Sequence, residues 1–232
     1  SAIFKSIFTN RALLGIIVAA IFVLLSQLTV MSLAGYVYPN VYGSAAAQST
    51  ASLLGTVVML IVCAPFASKL AAKFGKKELA VASSICSALV WLVCLIWRPA
   101  SVWGFVACYI LANVGMGFFN TIIWAMITDV IDDAEVRSGI REDGTIYSVY
   151  SFARKLGQAF SSGLVGALLG IIGYTEATAF DPAVTRGIFN MACIAPIIGF
   201  VCIVLALVFL YPLNKKKVEE NVAALAARRN NK

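Results

Sequence analysis

Residues 12–33 read ALLGIIVAAIFVLLSQLTVMSL and contain no Asp, Glu, Lys or Arg. At 1.5 Å per helical residue, about 20 such residues cross a hydrocarbon core about 30 Å thick. The charge-free run continues to Ser68, and others cover residues 79–97, 99–128, 156–175 and 187–214. A water-soluble chain cannot leave stretches of that length uncharged and still cover its surface. The composition agrees. Of 232 residues, 61% are hydrophobic and 12% charged, against about 45–50% and 25% in ordinary globular proteins. The sequence is that of a polytopic membrane protein.

Six spans fit these runs, at residues 12–33, 52–67, 79–97, 102–127, 146–172 and 188–210. Helices are required, because each span must satisfy its own backbone hydrogen bonds in lipid. The period-two alternation of barrel strands is missing. The expected fold class is therefore an all-α membrane protein, with residues 1–214 forming one six-helix bundle and 215–232 a basic cytoplasmic tail. That tail reads as a solvated end, with a short amphipathic helix on the membrane surface as the alternative. Of the 18 Lys and Arg residues, all but Arg98 and Arg186 fall on the side shared by both termini. The positive-inside rule makes that side cytoplasmic. No cleavable signal peptide is expected, and a start at Ser1 fits a fragment or a processed chain.

The composition also excludes chemistry. With no histidine, neither a Ser-His-Asp triad nor an imidazole-bearing zinc site can form. The cysteines lie in apolar runs without a C-x-x-C pair and read as compact packing residues. Neither a catalytic residue nor a metal site is expected, so the chain does not read as an enzyme. The net charge of +7 sits in the cytoplasmic loops, where it marks topology and not a nucleic-acid surface. Gly115-Met-Gly117 lies inside an apolar span, outside the strand-turn-helix setting a nucleotide loop needs.

Polar residues inside spans carry the functional signal. Asn113, Gly117, Asn120, Trp124 and Thr128 recur at steps of three or four and share one face of the fourth span. Ser148, Ser151, Lys155, Gln158 and Ser162 do the same on the fifth. Two adjacent wet faces imply a shared aqueous cavity; interhelical hydrogen bonding is the alternative for the small polar residues. Lys155 is a charge inside a span, which costs about 2.5–3.5 kcal/mol at the bilayer centre unless it meets water, a counter-charge or substrate. Trp124 suits a stacking platform for a sugar ring, or plain packing. Arg154, on a neighbouring face, is expected to snorkel to the interface. The Gly166–Gly170 pair forms a G-x-x-x-G, read as a helix-packing device.

The loop after the second span, SKLAAKFGKK (residues 68–77), resembles the G-x-x-x-D-R-x-G-R-R signature of the major facilitator superfamily, with Ser68 and Ala72 at its Gly and Asp positions. After the fourth span come DVIDDAEVRSGIR (129–141), GTIYS (144–148) and FARKLGQA (152–159). These resemble the segment joining helices ten and eleven of the glycoside–pentoside–hexuronide:cation symporters, where the pattern is D-x-x-D-Y-G-E, a basic residue, G-x-R, then Y-S-x-x-x-x-x-x-K-x-G. Asp133-Ala134 replaces Tyr-Gly; the spacing is otherwise kept.

The resemblance implies that these six spans are helices seven to twelve of a twelve-helix transporter, arranged as a 3+3 inverted repeat. It implies sugar:cation symport by alternating access, with Lys155 near the sugar and Asn120 at a cavity-facing position. Trp124, Ser151, Gln158 and Tyr147 complete the expected substrate wall. Asp129, Asp132, Glu135 and Arg141 match charged positions of a cytoplasmic gate, read as one short loop. The coupling ion is expected to be Na⁺ or H⁺, held mostly by acids of the missing first half. Expected partners are the lipid bilayer, a small-molecule sugar, and the first-half bundle or a second copy of this chain, in a bacterial cytoplasmic (inner) membrane. A lysolipid or other organic substrate on the same fold, and a non-transporting scaffold, are the rival functions.

Overall fold

The computed structural model describes residues 9–230. Its first six helices correspond in order to the six expected spans. They are α1 (Arg11–Tyr36), α2 (Ala45–Phe74), α3 (Lys76–Trp97), α4 (Val102–Ser138), α5 (Asp143–Ile171) and α6 (Pro182–Leu205). A seventh, α7 (Lys215–Asn230), follows. Five of these are long and apolar enough to cross a membrane by length and composition. The sixth crossing helix, α5, has the length, at 29 residues. Its Arg154-Lys155 pair and its serines and glycines keep it less apolar than the others.

Packing follows a two-fold pattern. α1 lies along α5 and α6, α4 lies along α2 and α3, and α3 lies along α6. Exchanging α1–α3 with α4–α6 maps this set of pairs onto itself. Three crossings per repeat is an odd number, so the second repeat enters from the opposite side: an inverted repeat. α1 and α4 are the central helices, with α2 and α5 as their flanking neighbours on one face and α3 and α6 on the other.

Small residues set the spacing. A Cβ on Gly157 of α5 would stand 2.9 Å from the Ile21 carbonyl oxygen of α1, so that contact needs glycine. Lipid tails are as apolar as these side chains, so dispersion and close packing drive association here rather than water release. Toward the end carrying the α1–α2 and α3–α4 connections, Tyr38, Trp91, Phe105, Tyr109 and Phe189 interlock. The rings of Tyr38 and Phe105 meet edge-on at 5.5 Å, and Phe105 also lies against Trp91 and Phe189.

Breaks between helices have local causes. Gly75 alone separates α2 from α3, at φ +107° and ψ 150°, a conformation that side chains with a Cβ rarely adopt. α6 loosens into a π-helical turn, Ala206–Leu210, and stops at Tyr211, whose neighbour Pro212 disfavours helix before it.

Two expectations are corrected. The acidic run 129–135 is not a loop: α4 carries it as continuous helix to Ser138, because no Gly or Pro interrupts the chain before Gly139. Within the tail, residues 215–230 form a helix. α7 lies against α4, with Asn221 and Leu225 buried.

Candidate functional site

On α5 the buried residues Ile146, Tyr150, Ala153, Gly157 and Ser161 form the stripe facing the bundle. Successive residues turn by about 100°. Rotating from that stripe toward α4 therefore meets Arg154 first, then Tyr147, Gln158 and Ser151, and finally Lys155. Rotating the other way meets Phe160 and Phe152, which are 59% and 64% exposed. α5 thus has an apolar flank and a polar flank, and the polar flank is the one beside Trp124. Ser148, Ser151, Lys155, Gln158 and Ser162 are all exposed. The stripe is neither packed dry nor mixed with apolar side chains.

Trp124 is where α4 meets that flank. Its indole meets the Tyr150 ring edge-on at 5.3 Å. The Arg154 guanidinium lies 5.5 Å from the centre of the Trp124 ring and 5.8 Å from that of Tyr150. Arg154 Nη1 also donates to the Tyr150 hydroxyl at 3.2 Å. Arg154 thus turns onto α4, one step of rotation from Lys155, and reaches one turn toward the N-terminal end of α5. Deeper along the same wall, Asn120 Nδ2 donates to Gln27 Oε1 of α1 at 3.3 Å. On the α4 stripe Trp124 is exposed, Asn113, Asn120 and Thr128 are half-buried and Gly117 is buried. Met59 and Cys63 of α2 cover Gly117, and Asn113 bonds back to the Tyr109 carbonyl at 2.9 Å.

At the end bearing the termini and the α2–α3 and α4–α5 connections, charges divide into two sets. Lys76 Nζ stands 2.6 Å from Asp129 Oδ1, with the Asp129 side chain 6% exposed and its Oδ2 buried without a hydrogen-bond partner among the described residues. Asp133 is buried too. It pairs with Arg137 at 2.6 Å and accepts from Asn221 Nδ2 of α7 at 3.1 Å. The second set is exposed. Arg141 Nη1 reaches Asp132 and Glu135, both at 2.9 Å, while its Nε reaches Asp143 at 2.9 Å. Hydrogen bonds that Arg141 donates to Glu135 and then Asp132, with Asp143, hold its guanidinium above its usual range. From α7, Arg228 donates to the backbone carbonyls of Glu135 and Val136.

Of the expected gate residues, Asp132, Glu135 and Arg141 come together. Asp129 stands apart and joins α3 through Lys76. Of the expected substrate wall, Trp124 forms a cluster and Asn120 a bridge to α1. Tyr147, Ser151, Lys155 and Gln158 line the neighbouring polar flank without a hydrogen bond to Trp124 or Asn120. Gln27, Tyr150, Arg154 and Lys76 were not among the expected site residues. Tyr150 at least carried a signal, lying four residues before Arg154, one helical turn away. Gly163, Gly166 and Gly170 make no close approach within this bundle; a Cβ on any of them would meet open space.

Comparison with known proteins gives a consistent result. The profile of the family described as MFS/sugar transport protein matches residues 2–215. The glucuronide carrier protein homolog of Escherichia coli (strain K12) is 27% identical over 223 residues, covering 95% of this chain and 48% of that protein. The uncharacterized symporter YjmB of Bacillus subtilis (strain 168) is 30% identical over 221 residues, covering 94% of this chain and 47% of the relative. A putative sulfoquinovose importer of Escherichia coli (strain K12) is 29% identical over 177 residues, covering 76% of this chain and 37% of that protein. The chain spans about half the length, or less, of the curated relatives it matches.

Proposed function

Because this chain belongs to the MFS/sugar transport protein family, we propose that it is the carboxy-terminal half of a sugar:cation symporter working by alternating access. Membership makes it part of a transporter and not an enzyme. The observation that carries the finer reading is the polar flank of α5, continuous with Trp124 and Asn120, turned out of its own bundle. Exposed to lipid, that wall would be costly. Facing a second bundle, it becomes one side of a water-filled crevice near the bilayer midplane, where substrate binds.

The open Gly163, Gly166 and Gly170 face adjoins the polar flank and gives a partner helix room for close approach. In this reading Trp124 stacks on a sugar, Lys155, Ser151 and Gln158 offer hydrogen bonds, and the coupling Na⁺ or H⁺ is held mostly by acids of the first half. The relatives named for a glucuronide and for sulfoquinovose support a sugar as substrate. The Lys and Arg asymmetry supports an orientation with both termini on the cytoplasmic side; a bacterial cytoplasmic membrane is part of the proposal.

The Arg141 cluster acts as a gate. Exposed pairs are worth about 0–1 kcal/mol each, weak enough to form and break as the two halves rock. The test is uptake of a sugar panel by the complete transporter in proteoliposomes, with and without a Na⁺ or H⁺ gradient. Gradient-dependent uptake that Lys155→Ala abolishes is the expected result; uptake indifferent to the gradient and to the substitution contradicts it.

A further inference from the structure

We infer that the end of the bundle opposite the termini carries a phospholipid site, in which Arg98 and Arg186 hold the phosphate of an anionic headgroup. Every other Lys and Arg of the chain falls on the side of the termini. The two exceptions line one and the same cavity, of about 360 Å³, within the range of ligand-sized pockets of about 300–1,000 Å³. Tyr42 beyond α1, Pro99 between α3 and α4, and Thr185 and Phe189 of α6 complete its wall.

Arg98 occupies this place against its backbone preference. It ends α3 at φ 48° and ψ 64°, the left-handed region that favours glycine. Its N–H caps the helix on the Cys94 carbonyl at 2.9 Å, a task glycine would do without strain. The side chain crosses to α6, where Nη2 donates to Asn190 Oδ1 at 3.1 Å. Asn190 lies one turn after Arg186 on the same helix face, so this bond draws the Arg98 guanidinium to the Arg186 side of the cavity and leaves most of its donors unused. Among the described residues neither arginine forms an ion pair. Glu176 and Asp181, the acids of the α5–α6 connection, are exposed and unpaired as well.

The second half of the transporter is not placed to neutralise these cations. The polar flank of α5 puts that half beside α2 and α5, whereas the cavity lies at α3 and α6, on the opposite face; only this point rests on the transport reading. The surface beside the cavity suits lipid. Trp97 and Trp103 are 59% and 58% exposed, and the Trp97 ring lies against Gly104 in the first turn of α4. Exposed tryptophans at span ends mark the headgroup layer. A guanidinium offers a phosphodiester two parallel hydrogen bonds. A choline or ethanolamine group would bring a further cation beside two arginines, so the headgroup selected carries none, as in phosphatidylglycerol.

The test places a fluorophore at Trp103→Cys in the complete transporter, with native cysteines replaced, in phosphatidylcholine vesicles. Quenching by doxyl-labelled phosphatidylglycerol is compared with quenching by doxyl-labelled phosphatidylcholine. The parent is expected to prefer phosphatidylglycerol. Arg186→Gln and Arg98→Gly should each lower that preference about 10-fold, the effect of losing a charge-assisted hydrogen bond. Arg98→Gly relieves the backbone, so its unfolding temperature should hold or rise while the lipid is lost. Equal quenching by the two lipids in the parent, or a preference that survives either substitution, overturns the proposal. Loss of the preference on adding millimolar inorganic phosphate assigns the arginines to a free anion and overturns it too. Uptake is not read, so any of these failures leaves the transport reading standing.

Discussion

Lys76 Nζ lies 2.6 Å from Asp129 Oδ1, tying the first turn of α3 to the charged end of α4. Asp129 is almost fully buried, so the pair is a structural clamp between two helices of different repeats. Breaking one side leaves a buried carboxylate without a counter-charge, at about 3–5 kcal/mol. Lys76→Met is therefore expected to lower the unfolding temperature in detergent markedly. The double variant Lys76→Met with Asp129→Leu should recover most of the loss, because it removes both charges. A double variant as unstable as the sum of its single parents would contradict the clamp.

Arg141 should behave in the opposite way. Its pairs with Asp132 and Glu135 are exposed, so Arg141→Gln is expected to change stability by no more than about 1 kcal/mol. If they act as a gate, the same loss shifts the open–closed balance by up to about fivefold. Thiol labelling at Thr128→Cys, one turn inside the gate, should accelerate by that factor. Constant labelling would mean that the cluster holds nothing shut.

Two glycines of α5 separate bundle packing from assembly. A side chain on Gly157 meets the Ile21 carbonyl oxygen at 2.9 Å, so Gly157→Leu should unfold or misassemble the bundle itself. Gly166 faces open space, so Gly166→Leu should leave the bundle folded and weaken its association with the other half. Cross-linking yield between halves, set against thermal stability of each variant, measures both effects.

α7 is held by a buried amide. Asn221 donates to Asp133 at 3.1 Å, and Asn221→Ala removes a charge-assisted bond at a cost of about 1–3 kcal/mol. Limited proteolysis within residues 215–230 should become several-fold faster while the six-helix bundle stays intact.

Much of the fold was legible in the sequence because lipid imposes few solutions. Charge-free runs 12–68 and 187–214 can only be spans, and the Lys and Arg bias orients them. The continuous helix under Asp129–Glu135 was harder to see, since an acidic run in a motif reads as a loop when only its charge is weighed. The site was legible as stripes and not as contacts. The 100° step separating Arg154 from Lys155 is visible in sequence, but which neighbouring helix occupies that angle is not. The roles of Tyr150 and Gln27 likewise depend on α1, α4 and α5 meeting, which spacing within one helix does not determine. The tail's helix needed Asn221 to find Asp133, a contact 88 residues away in sequence.

The most direct test of the central claim asks which flank of α5 meets water. In a complete transporter whose native cysteines are replaced, single cysteines at Ser151, Gln158 and Phe152 would be treated with a membrane-impermeant thiol reagent, with and without sugar. Modification at Ser151 and Gln158 that sugar slows, with Phe152 silent, is the expected result. Silence at Ser151 and Gln158 with modification at Phe152 would place the polar flank away from any crevice and contradict the account.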